Sequence, residues 1–304
     1  MSAKRVTVLM GGASAEREVS LRSGAAAGKA LDQAGFAVTM VEVGRDVAEL
    51  VGALTASKPD VVFNALHGRF GEDGCIQGVL NLLGLPYTHS GLLASAAAMD
   101  KAFARRLFET AGIPVAKGAV VRKGEASPIP RPHVVKPLNE GSSVGVYILM
   151  PGDNRDPLAD WPFEADEVLV EEFVPGRELT VAVMGERALG ALEITSDRGF
   201  YDYEAKYAPG GSRHIMPAPI WAADYAEACR LAVLAHQALG CRGVSRADLR
   251  YDDTRPGQPP RLIVLEVNTQ PGMTATSLVP DIAGHAGITF PELVRWMVEE
   301  ARCD

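Results

Sequence analysis

Three short apolar runs, at residues 5–10, 37–43 and 60–64, are separated by two stretches of helical periodicity, at 19–34 and 46–55. This order constrains the fold more than any other feature of the chain. Consecutive strands joined through helices run parallel, and their sheet must be covered by those helices. Gly11-Gly12 closes the first run, and Gly35 stops the Ala-rich helix. Ligand sites in such sheets lie beyond the carboxyl ends of the strands. The loops at that position carry GGASAERE and HGRFGEDG.

Helical signals return at 76–83, 92–99 and 101–111, followed by short strands at 115–121, 133–136, 144–149 and 168–172. The Pro-, Asp- and Gly-rich stretch 151–162 reads as a surface connection. Strands at 179–184 and 188–194, a long loop, a helix at 222–239, a hairpin and a closing helix at 291–301 complete the pattern. The expected fold is α/β with three units: an N-terminal parallel-sheet unit at 1–98, a central unit at 99–176 and a C-terminal unit at 177–304. The 304 residues suffice for two or three such units.

With 47% hydrophobic and 22% charged residues the composition is that of a soluble globular protein. A net charge of −8 argues against a general nucleic-acid or anionic-membrane surface, so a phosphate site must gather its cations locally. The four cysteines form no CxxC pair, which fits reduced thiols in a cytoplasmic protein. No signal-peptide pattern and no bilayer-length apolar stretch is present, so a cytoplasmic protein without membrane or nucleic-acid partners is expected.

The chemistry concentrates in SRADL and LEVNTQPGM. Glu266 and Asn268 are one residue apart on a β-like run, as are Arg246 and Asp248, so each pair projects from one strand face. DDTRPGQPP between them predicts a hairpin, which would bring two acids, an amide and an arginine onto one face. Such oxygen ligands suit Mg²⁺ carrying a nucleotide phosphate, although a hairpin with a merely polar face has the same pattern.

Three further segments each admit two readings. VVKPLNEGSSVGV offers a lysine before a Gly-Ser loop that can cradle polyphosphate, or an ordinary turn between strands. EVLVEEFVPGREL reads either as a hinge lined for adenosine or as a solvated acidic strand end. FYDYEAKYAPGGS, with three tyrosines and a lysine, reads as a lid or as a loop pinned by its aromatic residues. Glu16 either binds an ammonium group or belongs to a helix-start capping pattern with Ser14. His67 either acts on a substrate or braces the Gly-rich loop that follows it.

Taken in order, GGASAEREVSL, ALHGRFGEDG, GLPYTHSG, MDK, VVKP with EGSSVG, FYDYEAKY, RADL and LEVNTQPGMT with TSLVP resemble the D-alanine–D-alanine ligases. These enzymes belong to the ATP-grasp carboxylate–amine ligases, and the resemblance runs almost end to end. It implies an ATP-grasp fold of three α/β units with ATP between the second and third. It also implies that Lys101 and Lys136 bind ATP phosphates, with Ser143 in the loop closing over them. Glu171, the backbone around Glu172, Phe173 and Val174, and Glu178 correspond to the adenine and ribose contacts. Lys206 corresponds to a lid lysine near the γ-phosphate. Asp248, Glu266 and Asn268 correspond to ligands for two Mg²⁺ ions, with Mn²⁺ as an alternative. Glu16 corresponds to the anchor for the first D-alanine ammonium, with Ser142 and Tyr207 as its hydrogen-bonded partners. Ser277 and Leu278 correspond to the carboxylate site of the second D-alanine.

The implied reaction phosphorylates one D-alanine carboxylate and lets the amine of a second attack the acyl phosphate. Arg246 and the Gly272 N–H are then placed to stabilise the oxyanion. Family members that make D-alanyl-D-lactate generally lack the Lys206-Tyr207 pair, so its presence favours an amine acceptor. The resemblance further implies a cytoplasmic homodimer acting on ATP and D-alanine. Two departures stand out. The Pro-rich region 123–132 is shorter than the family pattern and implies a missing helix, and Gln270 occupies a variable position of NTxPG.

Overall fold

The computed structural model describes residues 3–141, 144–195, 213–274 and 276–304. β1 (Arg5–Gly11) lies between β2 (Ala37–Val43) and β3 (Val61–Asn64), and both neighbours run parallel to it. Val6, Val8 and Leu9 of β1 are wholly buried, as a central strand covered by helices requires. α1 (Arg17–Gln33) returns along this sheet, starting earlier than its apolar periodicity because Arg17 and Glu18 favour helix without adding an apolar signal. α2 (Val47–Ser57) is capped by Asp46, whose carboxylate accepts the N–H groups of Ala48 and Glu49. α3 (Cys75–Leu82) and α4 (Leu92–Met99) follow, and Asp100 separates α4 from α5 (Lys101–Thr110) by capping the latter through the Phe103 N–H.

The central sheet has the order β4-β7-β5-β6, all pairs antiparallel, from β4 (Gly118–Arg122), β5 (His133–Pro137), β6 (Tyr147–Leu149) and β7 (Glu167–Glu172). Two strands differ from the sequence pattern. β4 begins at Gly118 rather than at 115, and β6 keeps only the last three residues of the expected 144–149. The apolar residues outside these bounds pack from irregular backbone, which periodicity alone does not separate from strand. A single helical turn, α6 (Pro157–Asp160), lies within the expected surface connection, capped by Asp156. Residues 123–132 form turns and no helix, in line with their proline content.

The third sheet, β10-β9-β8-β11-β12, is antiparallel throughout. It contains β8 (Arg177–Met184), β9 (Arg187–Thr195), β10 (Arg213–Ile215), β11 (Val244–Asp252) and β12 (Arg261–Asn268). β10 falls in the stretch read as loop from sequence; three residues carry too little alternation to register. α7 (Ala222–Ala238) buries Ala228, Leu231, Ala232 and Ala235 in a core shared with Val181, Leu249 and Val264 of this sheet and with Ala104 and Phe108 of α5.

α8 (Leu278–His285) packs on β8 and β9 of the third sheet, and α9 (Phe290–Glu299) returns against α1 and β3, Thr289 and Glu292 forming a capping box that starts α9. Ile282, Leu293 and Met297 share one core with Val6, Val8 and Leu31, so the first and last parts of the chain pack together. Asp304 strengthens that tie: its carboxylate accepts from the Leu92 N–H, the Asn81 amide and the Tyr87 hydroxyl. At the turn between β7 and β8, Gly176 has φ +92°, and a Cβ there would lie 2.2 Å from the Tyr251 carbonyl oxygen. Arg250 locks the same turn by donating to the Val174 and Gly176 carbonyls. Among the described residues no helix is long and apolar enough to cross a membrane.

Candidate active site

The antiparallel register of β11 and β12 sets Arg246 opposite Asn268 and Asp248 opposite Glu266. All four side chains therefore share one sheet face, as their spacing predicts. A one-residue slip follows at once, between Asp248 and Leu249. Arg246 forks onto Asp248, its Nε donating to Oδ1 at 2.9 Å and its Nη2 to Oδ2 at 2.7 Å. The Thr180 hydroxyl on neighbouring β8 donates to Oδ1 at 2.6 Å. Asp248 is buried and its orientation is set from two strands. Glu266 Oε2 lies 3.8 Å from the Lys101 ammonium, and Asn268 Oδ1 accepts the Gln270 N–H.

The face opens into a cavity of about 430 Å³ whose walls include Glu16, His67, Lys101, Arg246, Glu266, Asn268, Gly272, Ser277 and Leu278. Glu16 sits at the start of α1. Ser14 accepts the Glu16 N–H and donates to the His67 carbonyl oxygen, so it ties the two glycine-rich loops together and forms no capping box. His67 is buried with Nε2 3.2 Å from the Ser23 hydroxyl and Nδ1 3.9 Å from Glu72, so both readings of it meet here: it is braced, and it lines the cavity. Across the cavity, Ser277 precedes α8, its hydroxyl accepting the Thr274 N–H at 2.9 Å. A Cβ on Gly272 would stand 2.9 Å from that hydroxyl.

A second, narrower cavity of about 120 Å³ lies between the central and third sheets. Lys136, Glu171, Glu172, Phe173, Val174, Glu178, Asp248 and Arg250 line it, and Lys101, Glu140, Gly141 and Glu266 line both cavities. Glu171 is buried and ion-paired to Lys136 at 2.6 Å and to Arg105 at 2.8 Å. The N–H groups of Glu172 and Phe173 are taken by the carbonyls of Lys117 and Pro132. Arg250 stands 3.5 Å from Glu178; burial pulls its guanidinium below the ordinary arginine value while Glu178 and Asp252 push it back. Ser142, Ser143, Lys206 and Tyr207 lie outside the described residues.

Several lining or supporting residues escape sequence reading. Arg22 shares the cavity face of α1 with Val19 and Ala26, a helical spacing that was legible only once the wall was known. Thr180 looks like an ordinary β-branched strand residue, yet it holds Asp248. Glu72 and Glu140 come from loops whose direction no periodicity encodes.

A parallel-sheet unit followed by two antiparallel sheets that enclose an acid- and lysine-lined cleft defines the ATP-grasp class. Within that class the chain belongs to the D-alanine–D-alanine ligase family. Residues 107–299 match the family model described as D-ala D-ala ligase C-terminus, and residues 49–90 match the corresponding N-terminus. The chain is 79% identical to a D-alanine–D-alanine ligase of Paramagnetospirillum magneticum and 62% identical to one of Rhodospirillum rubrum, with 99% of each chain covered in both comparisons. A crystal structure of a D-alanine–D-alanine ligase from Bacillus anthracis superposes with a TM-score of 0.83 at 31% identity, covering 98% of this chain and 97% of that one. The complex of the Bacillus anthracis enzyme with ATP superposes with a TM-score of 0.81 at 28% identity over the same shares.

Proposed function

We propose that this protein joins two molecules of D-alanine into D-alanyl-D-alanine, driven by ATP and passing through a D-alanyl phosphate, to supply peptidoglycan precursors. The observation that carries the reading is the four-residue face of β11 and β12 at the junction of two cavities. Asp248 lines the narrow cavity, Arg246 and Asn268 line the wide one, and Glu266 lines both. Chemistry at that junction passes the γ-phosphoryl group of a nucleotide held on one side to a carboxylate held on the other, leaving ADP.

In this reading the narrow cavity takes the nucleoside, with Glu171 and the 172–174 backbone at the base and Glu178 at the ribose. Lys101 and Lys136 serve the phosphates, Lys136 reaching them from beside Glu171 at the base end, with Ser143 and Lys206 as their partners. The donor set of Asp248, Glu266 and Asn268 fits hard divalent cations, two carboxylates facing one another in register with an amide beside them. We assign these residues to two Mg²⁺ ions, or Mn²⁺ in their place, which when bound neutralise phosphate charge. Glu16 then receives the ammonium of the first D-alanine, with Ser142 and Tyr207 beside it. Ser277 and Leu278 receive the carboxylate of the second.

The protein's own groups explain the order of events. A carboxylate is a poor electrophile because its charge is delocalised, so the lysines must offset repulsion between it and the γ-phosphate. Once the acyl phosphate exists, the second amine attacks its carbonyl. The Arg246 guanidinium and the Gly272 N–H stabilise the oxygen that gains charge, and phosphate leaves. Arg246 is pre-oriented for this by its fork onto Asp248. His67, braced by Ser23, borders the same space and keeps the first loop in place.

The same reading takes the units as 1–98, 99–176 and 177–304 and the protein as a cytoplasmic homodimer. The test is phosphate release with ATP and D-alanine, L-alanine or D-lactate, with the product identified by mass. D-alanyl-D-alanine formed with D-alanine alone is expected; activity confined to L-amino acids would overturn the assignment.

A further inference from the structure

One helix face links both ends of the nucleotide cleft. Lys101, Arg105 and Glu109 are spaced four residues apart on α5 and so share a side. Lys101 donates to the Glu140 carbonyl and approaches Glu266 at the phosphate end. One turn on, Arg105 reaches Glu171 at the base end, donating from Nη1 to Oε1 at 2.8 Å, while Nη2 pairs with Glu109 at 3.1 Å. Lys136 holds the other Glu171 oxygen at 2.6 Å. Arg105 lines neither cavity, so it can act on a ligand only through Glu171.

The path of Arg105 to Glu171 exists because residue 118 is glycine. A Cβ at Gly118 would meet the Arg105 Nη1 at 2.8 Å, the Glu171 Cγ at 2.8 Å and the Val170 carbonyl oxygen at 2.7 Å. Gly118 pairs with Glu171 across β4 and β7, so the guanidinium passes over the one backbone position opposite the carboxylate. Space is what this glycine supplies, since its backbone is not in the left-handed region.

We infer that Arg105, admitted by Gly118, is a positioning residue that fixes the Glu171 carboxylate and thereby selects a purine carrying a 6-amino group. This deepens the proposed function and rests on its placement of the adenine edge at Glu171. A carboxylate only accepts hydrogen bonds, and its two oxygens have lone pairs to spare beyond one cation each. Held between Arg105 and Lys136, it faces a 6-amino donor favourably and a 6-oxo acceptor unfavourably. Discrimination of this kind is large when a buried polar group is left facing the wrong partner. A carboxylate released from Arg105 rotates and loses that discrimination.

The experiment compares ATP with inosine triphosphate, which replaces the 6-amino group by an oxo group. KM for each is measured at saturating D-alanine, together with the thermal shift each nucleotide induces, which reports binding without turnover. Arg105→Gln and Gly118→Ala should each raise the KM for ATP about tenfold, equivalent to about 1.4 kcal/mol. The KM for the inosine nucleotide and that for D-alanine should move by less than about twofold, and Arg105→Lys should recover part of the ATP preference. If either the glutamine or the alanine variant fails to fold, Arg105→Lys decides: one nitrogen replaces the two that reach Glu171 and Glu109, so an ATP preference lowered but not lost supports the inference. An ATP-to-inosine preference unchanged in all the folded variants, while Glu171→Gln lowers it, overturns the inference and leaves the adenine reading standing. A preference unmoved by Glu171→Gln itself removes the adenine reading instead.

Discussion

Gln270 offers the sharpest test of how the two ends of the chain hold the cavity between them. It is 1% exposed, its Oε1 accepts from the Asn64 amide at 2.7 Å, and its own amide donates to the Leu66 carbonyl. Asn64 in turn donates to Gly71 and accepts from the Leu66 N–H. Replacing Gln270 by leucine keeps the volume and deletes both contacts. The Leu66 carbonyl loses its side-chain donor, while Asn64 keeps one of its two amide bonds. At about 1–3 kcal/mol for each buried group left unsatisfied, the expected loss is about 2–4 kcal/mol. That is a large share of the roughly 5–15 kcal/mol that stabilises a typical fold. Urea unfolding measures it directly. The loop these bonds hold carries His67 and Glu72, so the KM for D-alanine should rise while the KM for ATP stays within about twofold. A loss below about 0.5 kcal/mol would refute the reasoning, and Gln270→Glu, which sets a buried carboxylate oxygen against the Leu66 carbonyl, should cost at least as much as leucine.

Glu266→Gln and Asp248→Asn should each lower kcat about a hundredfold or more while shifting the melting temperature by only about a few degrees, because these groups act on charge at the reacting phosphate. Unchanged turnover at saturating Mg²⁺ counts against that role. Burial holds the imidazole of His89 down to about 3 and that of His236 down to about 4, both below the ordinary histidine value of 6.5. Between about pH 4 and 6.5 the unfolded chain binds a proton at each site that the folded chain refuses, so stability should rise with pH across that window. Unfolding at pH 5 and pH 7 measures the slope, and His236→Gln should flatten it; an identical slope in variant and parent would rule the explanation out.

Much of the candidate site's geometry was legible because it is set at short range. Glu266 and Asn268, like Arg246 and Asp248, are two positions apart, and a strand sends such residues the same way whatever surrounds it. The parallel order of β1, β2 and β3 was equally readable, since helices between apolar runs leave few alternatives. What stayed hidden depends on distance in the chain. Gln270 looked like a variable residue in a motif, and its role appears only when Asn64 and Leu66 come beside it. Thr180 reads as a β-former until β8 pairs with β11. Strand β10 is too short for alternation, and the packing of α8 on the third sheet and of α9 on α1 and β3 has no local signature. Glu171 reads from sequence either as a ligand contact or as a solvated strand end, and its two cation partners, on α5 and β5, are placed only by the fold.

The slip opposite Asp248 and Leu249 is a phase break in β12: Leu265 has no pairing partner there, while β11 keeps an unbroken register with β8. On β11, Arg246, Asp248 and Arg250 line the cavities, and Arg250 and Asp252 also tie the turn at Gly176 and the 253–260 connection. Without the break, the register that pairs Asp252 with Arg261 would run on to set Leu265 opposite Asp248 and turn Glu266 and Asn268 to the opposite face. One added residue in β12 therefore lets the far end of the hairpin keep its own pairing while acids from two strands stay on one face.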